Sequence, residues 1–492
     1  MAKPSDVRVT AAEVFFIPVT FRMPLRFGAQ TVNSATSARV RVQLTDRDGN
    51  HAIGWGETPL AVQWGWPSDA SYESRHNAMR RLCVDIAESF IGFPLAGHPI
   101  EITHDFRHHA LGQIAAGISD PAEFPSGIPE LASLICLSCF DLAMHDAFGI
   151  LRDMDVYRTY TSEFMNRDLA DLFESSAPAG VSERIKSFRG RYPADYLNGS
   201  VSEKLKAWHL VGGLDPLETE DLIGSEPRDG HPVLLADWIA QDGLECLKIK
   251  LRGDDFEWDC RRVERVGRIG LEHGVKHFCA DFNCTVQDTG YVHAALDRIA
   301  RDQPAVFDRV LYIEQPFPYD LAANPIEVRS IAARKRLFLD ESAHDWTSVE
   351  AGRLLGWNGV ALKTCKTLSG ALLSLVWARS HGMDLMVQDL TNSMLAAIPH
   401  ALLAAHAQTI MGVETNAMQF HPEASAPEAV VHPGLYRRRG GCIDLSTLSG
   451  PGFGMRVEEI GRKLPKSATA VGGFQTAGKP SASRSKATKG AP

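Results

Sequence analysis

The chain has 492 residues, enough for more than one domain, and its 44% hydrophobic and 23% charged residues are the balance of an ordinary globular protein. A net charge of −9, with no basic stripe, argues against nucleic acid as a partner. No run of 18 uncharged apolar residues occurs, the N-terminal MAKPSDVRVT lacks a signal-peptide core, and the nine cysteines are scattered through apolar segments. No membrane span or disulfide framework is expected, and a reduced, cytoplasmic setting fits best.

Residues 7–60 alternate in the manner of strands. VRVTAAEVFFIPV and ARVRVQLTD read as two of them, with RDGN as the turn before HAIGWGE. From about Ser68 to Ile150 the pattern turns helical, as in SYESRHNAMRRLCVDIAESF and LASLICLSCFDLAMHDAFG. Residues 7–150 are therefore expected to form an N-terminal α+β capping domain. Cys136 and Cys139 make a CxxC, but no second pair stands near to complete a zinc site, and they read as small residues on one face of a buried helix. The stretch 151–205 has mixed charge and no clear period, and reads as a connecting insertion with some helix.

From Trp208 onward apolar runs alternate with amphipathic segments. Eight candidate strands follow: 208–213, 246–251, 277–282, 310–315, 337–341, 359–364, 384–389 and 410–415. Alternating β/α units imply a parallel sheet, and eight of them imply closure. The expected fold is an α/β barrel, a (β/α)7-8 TIM-like barrel over 206–455 with the cap before it. The last segment, 466–492, is rich in Ser, Ala, Gly and Lys and is expected to be disordered.

Charged residues punctuate this barrel. Lys248 and Lys250 sit in LKIKLRG, Asp281 in ADFNCT, Glu314 in YIEQPF, Asp340 in LFLDES and Lys363 in ALKTCK; from Lys250 the intervals are 31, 33, 26 and 23 residues. A β/α unit takes roughly 31 residues, and a barrel puts its chemistry at the C-terminal ends of its strands. Carboxylates at similar heights on three neighbouring strands, about 4.8 Å apart, converge on one hard divalent cation. Glu341 stays open as an alternative to Asp340; strand alternation should let only one of them point inward. Asn283 falls on the face of Asp281 and is a candidate supporting residue. Lys248 and Lys250 share a face, and crowding by a second ammonium and a metal is expected to lower a lysine's pKa toward that of a useful base. Lys363, four strands on, faces the same centre from the other side. Lys366 ranks behind it.

The ordered set KIK, DFN, EQP, DES and LKTCK resembles the enolase superfamily, in its muconate lactonizing enzyme and mandelate racemase branch. GWGETPL near residue 55 and FDLAMHDAFG near 140 resemble that family's cap and its last helix. The resemblance covers roughly 7–150 and 208–455. It implies Mg²⁺, with Mn²⁺ as an alternative, held by Asp281, Glu314 and Asp340. It implies Lys250 as base, Lys248 tuning it and touching the substrate carboxylate, and Lys363 as acid or base on the opposite face. The His–Asp dyad of mandelate racemase is not carried over, because Gln388 and Asp389 stand at the seventh strand end. The eighth strand, VETNAMQF, has Glu414 and neutral Asn416 where similar dipeptide epimerases carry two aspartates, which argues against an α-amino substrate. Asn283, Gln388, Asp389, Glu414, Asn416 and Arg26 are expected to meet the substrate. The stretches 23–34 and 61–69 are candidate lids, with Trp64 or Trp66 over the mouth.

The implied reaction is Mg²⁺-dependent removal of a proton next to a carboxylate through an enediolate. Racemisation or epimerisation, cycloisomerisation and dehydration all remain open, with sugar-acid dehydration or a non-catalytic ligand-binding barrel as alternatives. A Schiff-base aldolase would leave the three carboxylates unexplained. A small carboxylic acid is the expected partner, and assembly into a homo-oligomer is expected.

Overall fold

Strong alternation in the first sixty residues builds one antiparallel sheet. Strand β1 (Val7–Phe27) pairs along its length with β2 (Gln30–Asp46), and β3 (His51–Pro59) pairs with β2. The computed structural model describes residues 3–118, 122–178, 180–199 and 201–475. The first two strands run further than their alternation suggested. Residues 23–34, read as a lid, are the far end of a continuous hairpin that turns at Gly28, whose φ is +49°. A register shift between Thr20 and Leu25 bends that end.

The helix Glu130–Leu151 packs directly on β3, and glycine makes the approach possible. A Cβ on Gly56 would lie 2.0 Å from the Cys139 carbonyl oxygen, and one on Gly54 would lie 2.1 Å from the Ala147 amide nitrogen. This helix is long and apolar enough to cross a membrane, yet 89% of its most apolar window is buried, which marks it as a core helix. Its polar residues tie cap to barrel. Asp141 accepts from Ser369 Oγ at 2.6 Å, and Asp146 accepts from the amides of Trp55 and Phe453, each at 3.0 Å.

Eight parallel strands form the second body: β4 (Lys204–Val211), β5 (Cys246–Lys250), β6 (His277–Asp281), β7 (Val310–Glu314), β8 (Arg336–Leu339), β9 (Gly359–Leu362), β10 (Asp384–Val387) and β11 (Val413–Glu414). They pair in the order β10-β9-β8-β7-β6-β5-β4-β11. The remaining seam, between β10 and β11, is bridged where the Ile410 amide donates to Leu385 at 2.9 Å. The barrel is thus nearly closed, with an N-terminal antiparallel cap. Its interior is layered. Trp208, Cys246, Cys279, Tyr312, Phe338 and Met386, from six strands, make one buried apolar cluster. Two residues further along the same strands, on the same inward face, come Leu210, Lys248, Asp281, Glu314, Asp340 and Gln388. An apolar floor therefore carries the polar layer above it.

Segment 151–205 shows no period because its helices are three to six residues long, Leu169–Glu174 being the longest. It is nonetheless packed: the Phe173 ring lies 4.9 Å from that of Trp346 and, edge-on, 5.3 Å from that of Trp377. A short strand β12 (Cys442–Asp444) pairs antiparallel with β4. The expectation of disorder from residue 466 needs correction, because β13 (Thr469–Gly472) adds to the cap sheet alongside β1. Its small residues supply the backbone hydrogen bonds of an edge strand, which composition alone does not reveal; residues 476–492 lie outside the described residues.

Candidate active site

The strand ends bring the expected residues together. Asp281 and Glu314 are direct register partners on β6 and β7, and Lys250 is the partner of Asp281 on β5. Asp340 follows β8 by one residue, and Lys363 follows β9 by one. The backbone beyond β6 and β7 turns left-handed at Asn283 (φ 46°), Cys284 (66°) and Gln315 (31°), a strained path that tight hydrogen bonding supports. The Asn283 amide donates to Asp281 Oδ1 at 2.9 Å, and the Gln315 side-chain oxygen accepts from the Asp340 amide at 2.8 Å.

Lys248 is the hub. Its ammonium lies 2.8 Å from Glu314, 3.1 Å from Asp281 and 3.1 Å from Glu414, and it is 1% exposed. Lys250 pairs with Asp281 alone and lies 5.8 Å from the ring centre of Phe27. Lys363 stands 3.0 Å from Asp340, donates to the Asp389 carbonyl at 3.1 Å and sits 4.9 Å from the centre of the Trp64 ring. Lys366 also reaches Asp340, at 3.4 Å. Gln388 donates to Glu314 and, at 3.3 Å, to the Tyr312 hydroxyl.

These carboxylates act on Lys248 and Lys363 in the direction opposite to a neighbouring ammonium or metal. Burial works against the Lys248 charge, but Glu314, Glu414 and Asp281 more than offset it and hold the ammonium well above the ordinary lysine range. For Lys363, burial is likewise overcome by Asp340, and its pKa is raised. Despite burial, Lys250 and Lys248 hold Asp281 below the usual carboxylate range, and Lys363 and Lys366 do the same for Asp340.

Asp340 lines the central cavity, whereas Glu341 does not. The alternation argument did not apply, because β8 ends at Leu339 and both acids follow it. Both are buried. Glu341 accepts from Trp64 Nε1 and Asn283 Nδ2, each at 3.0 Å, and its Oε2 has no partner. Asn283 thus supports a neighbouring acid and stands off the cavity. Arg26 also lies off the cavity wall, packed against Gly213. Trp64 lines it, while Trp66 packs on Phe124 at 4.7 Å.

Lys248, Lys250, Asp340, Lys363, Asp389 and Asn416 open onto one cavity. Its apolar wall holds residues that the sequence did not single out, among them Leu210 and Leu390, together with His421. Nothing in the local sequence around those three marks them; only the fold brings them here.

Asp281, Glu314 and Asp340 form an all-oxygen, anionic and buried donor set, the kind that a hard divalent cation takes. Among the described residues no three His, Cys, Asp or Glu side chains are already gathered around a common point. Instead the Lys248 ammonium bridges two of the carboxylates, a cation standing where positive charge is required. The residues fit a metal in the chemistry of their donors, with lysines answering their charge in this arrangement.

Residues 233–460 match the family model described as enolase C-terminal domain-like. No curated protein sequence gives a significant match. Among solved structures, a muconate lactonizing enzyme from Mycobacterium smegmatis complexed with muconolactone superposes with a TM-score of 0.58 at 15% identity, over 91% of this chain and 96% of its own. An N-succinyl Arg/Lys racemase from Bacillus cereus gives 0.58 at 16% identity, over 94% and 100%. A dipeptide epimerase from Cytophaga hutchinsonii, complexed with Mg and the dipeptide D-Ala-L-Val, gives 0.54 at 15% identity, over 84% and 88%. Residues 233–460 are thus similar to the enolase C-terminal domain-like family, and the barrel with its N-terminal cap has the fold of these solved structures.

Proposed function

We propose that the protein removes a proton from the carbon next to a carboxylate group and returns one, or expels a group, from the resulting enediolate. One observation carries this reading. Lys250 ends β5 and Lys363 follows β9, strands four apart around the barrel, and both line a single cavity beside Asp340. Two amines facing one small acid from opposite sides give one to take a proton and one to deliver it. Lys250 is the proposed base. Lys363, held by Asp340 and the Asp389 carbonyl, is the proposed acid or base of the other face. Lys248 is proposed to orient the carboxylate layer and Lys250 beside it. Asp281, Glu314 and Asp340 are the proposed ligands of Mg²⁺, and a bound divalent cation would offset the negative charge that builds on the substrate carboxylate. The Mg bound in the Cytophaga epimerase supports that choice of metal. The apolar cap excludes water from the lysines, which strengthens each of these interactions.

Deuterium uptake at the α-carbon, followed by NMR across a panel of carboxylic acids in D₂O, tests the reading. Uptake should vanish in EDTA and return with Mg²⁺. The lysine clamp on the carboxylates favours one other reading, a metal-free barrel that only binds an acid. Binding without exchange under every metal condition would select it.

A further inference from the structure

Behind the central cavity lies a second, smaller one, whose polar side is made by Asp389, Asn392, His400 and Thr415. Asp389 is shared with the central cavity, whereas His400 and Thr415 line the smaller one alone. Met418, Pro422 and Tyr436 also line a groove on the flank of the barrel, and so form the wall of the small cavity toward solvent.

Two of its polar residues are incompletely paired. His400, on the helix Ala397–Ala407, is 1% exposed, and its Nε2 lies 2.7 Å from the Glu414 carbonyl oxygen. A carbonyl only accepts, so Nε2 carries the hydrogen and the uncharged ring has a lone pair at Nδ1. That Nδ1 is buried with no partner among the described residues, and so is the Thr415 hydroxyl. Thr415 stands between Glu414 and Asn416, which face the barrel centre, and itself faces the cavity behind them. The third group is the Asp389 carboxylate, whose oxygens accept from the amides of Asn392 and Asn416, each at 2.7 Å. Burial raises its pKa, and His400 is the strongest influence acting against that rise, which sets the imidazole near the carboxylate. Polar groups that approach one another beyond direct reach are commonly joined through water, and buried polar groups left without any partner are uncommon in native proteins.

We propose that one water molecule occupies this cavity, donating to His400 Nδ1 and to the Asp389 carboxylate and accepting from the Thr415 hydroxyl. Those bonds make about three, the usual complement of a buried water, and the cavity has room for one. Asp389 carries the consequence to the reaction. Its backbone carbonyl accepts from the Lys363 ammonium at 3.1 Å. Tying down its carboxylate fixes the peptide that holds Lys363, so His400 and Thr415 are positioning residues for that lysine. This last step rests on the carbon-acid reading above; the water site does not.

A crystal structure of the full-length protein, at a resolution that shows buried waters, tests the site. It should place a water within hydrogen-bond reach of His400 Nδ1 and Thr415 Oγ1; a dry cavity overturns the proposal. Its role is read from α-deuterium uptake by the separate enantiomers of an exchanging acid in Mg²⁺ and D₂O. Thr415→Val, which keeps the side-chain shape and removes the hydroxyl, should cut uptake about tenfold from the enantiomer that Lys363→Ala loses, and leave the other unchanged. His400→Asn, which keeps a polar atom near the Nδ1 position, should retain more of that uptake than His400→Gln, which does not. Equal loss from both enantiomers, or full uptake in both Thr415→Val and His400→Gln, overturns the positioning role. A bound water in a protein that exchanges no acid would sink the proton-abstraction reading and leave the water site standing.

Discussion

Lys248 shows what a single residue does in this site. Its ammonium lies within 3.1 Å of three buried carboxylates from three other strands. Removing one partner of a buried ion cluster leaves the others uncompensated, at a cost of about 3–5 kcal/mol. Lys248→Met should lower the urea-unfolding free energy by about that amount in metal-free buffer, and a loss below about 1 kcal/mol would mean that the carboxylates do not depend on it. The sequence revealed that Lys248 is interior, because KIK alternates on a strand. It did not reveal that the lysine faces three acids at once, since those partners lie 33, 66 and 166 residues away. His421 gives a second residue-scale test. Its pKa is lowered from 6.5 to about 4 by burial, so below pH 6.5 the unfolded chain binds a proton that the folded chain refuses. Its contribution is therefore intact above pH 6.5 and is lost as the pH falls toward 4, by about 2 kcal/mol at pH 5. Asp146 and Asp215, raised by burial to about 7 and about 6, act in the opposite sense, so the comparison must be by difference. Between pH 7.5 and 5, wild type should lose about 2 kcal/mol more than His421→Phe in urea unfolding; equal losses would contradict a neutral buried imidazole.

At the scale of elements, close backbone approach sets the cap. Gly56 allows β3 to touch the Cys139 carbonyl, and a methyl group there would overlap backbone that has no rotamer with which to yield. Gly56→Ala should destabilise the protein by about 1–3 kcal/mol, the range of core overpacking, visible as a lower Tm with the near-UV signal of the cap perturbed. An unchanged Tm would mean that the helix Glu130–Leu151 shifts freely. Elements with a strong period were legible: all eight barrel strands fall where apolar runs predicted them. Elements ruled by local endings were not. The stop of β8 at Leu339, one residue before Asp340, removed the alternation used to separate Asp340 from Glu341. The helices of 151–205 are too short to show a period, and β13 is four small residues long. The hairpin end looked like a loop because its alternation breaks at the bulge between Thr20 and Leu25.

At the scale of the molecule, the barrel supplies the charges and the cap supplies the enclosure. The charged half was legible because the barrel repeats one unit and each unit ends in one chemical group. Of the apolar half Trp64 was legible, whereas Phe21, Leu210, Leu390 and His421 come from separate stretches that only folding assembles. The central claim is that Lys250 and Lys363 address one substrate from its two faces. The most direct measurement is α-deuterium uptake in Mg²⁺ and D₂O from the separate enantiomers of an exchanging acid, in wild type, Lys250→Ala and Lys363→Ala. The account predicts that each variant loses uptake from one enantiomer, by about 10²–10⁴-fold, and retains it from the other. Loss of the same enantiomer in both variants, or full uptake in either, would contradict it.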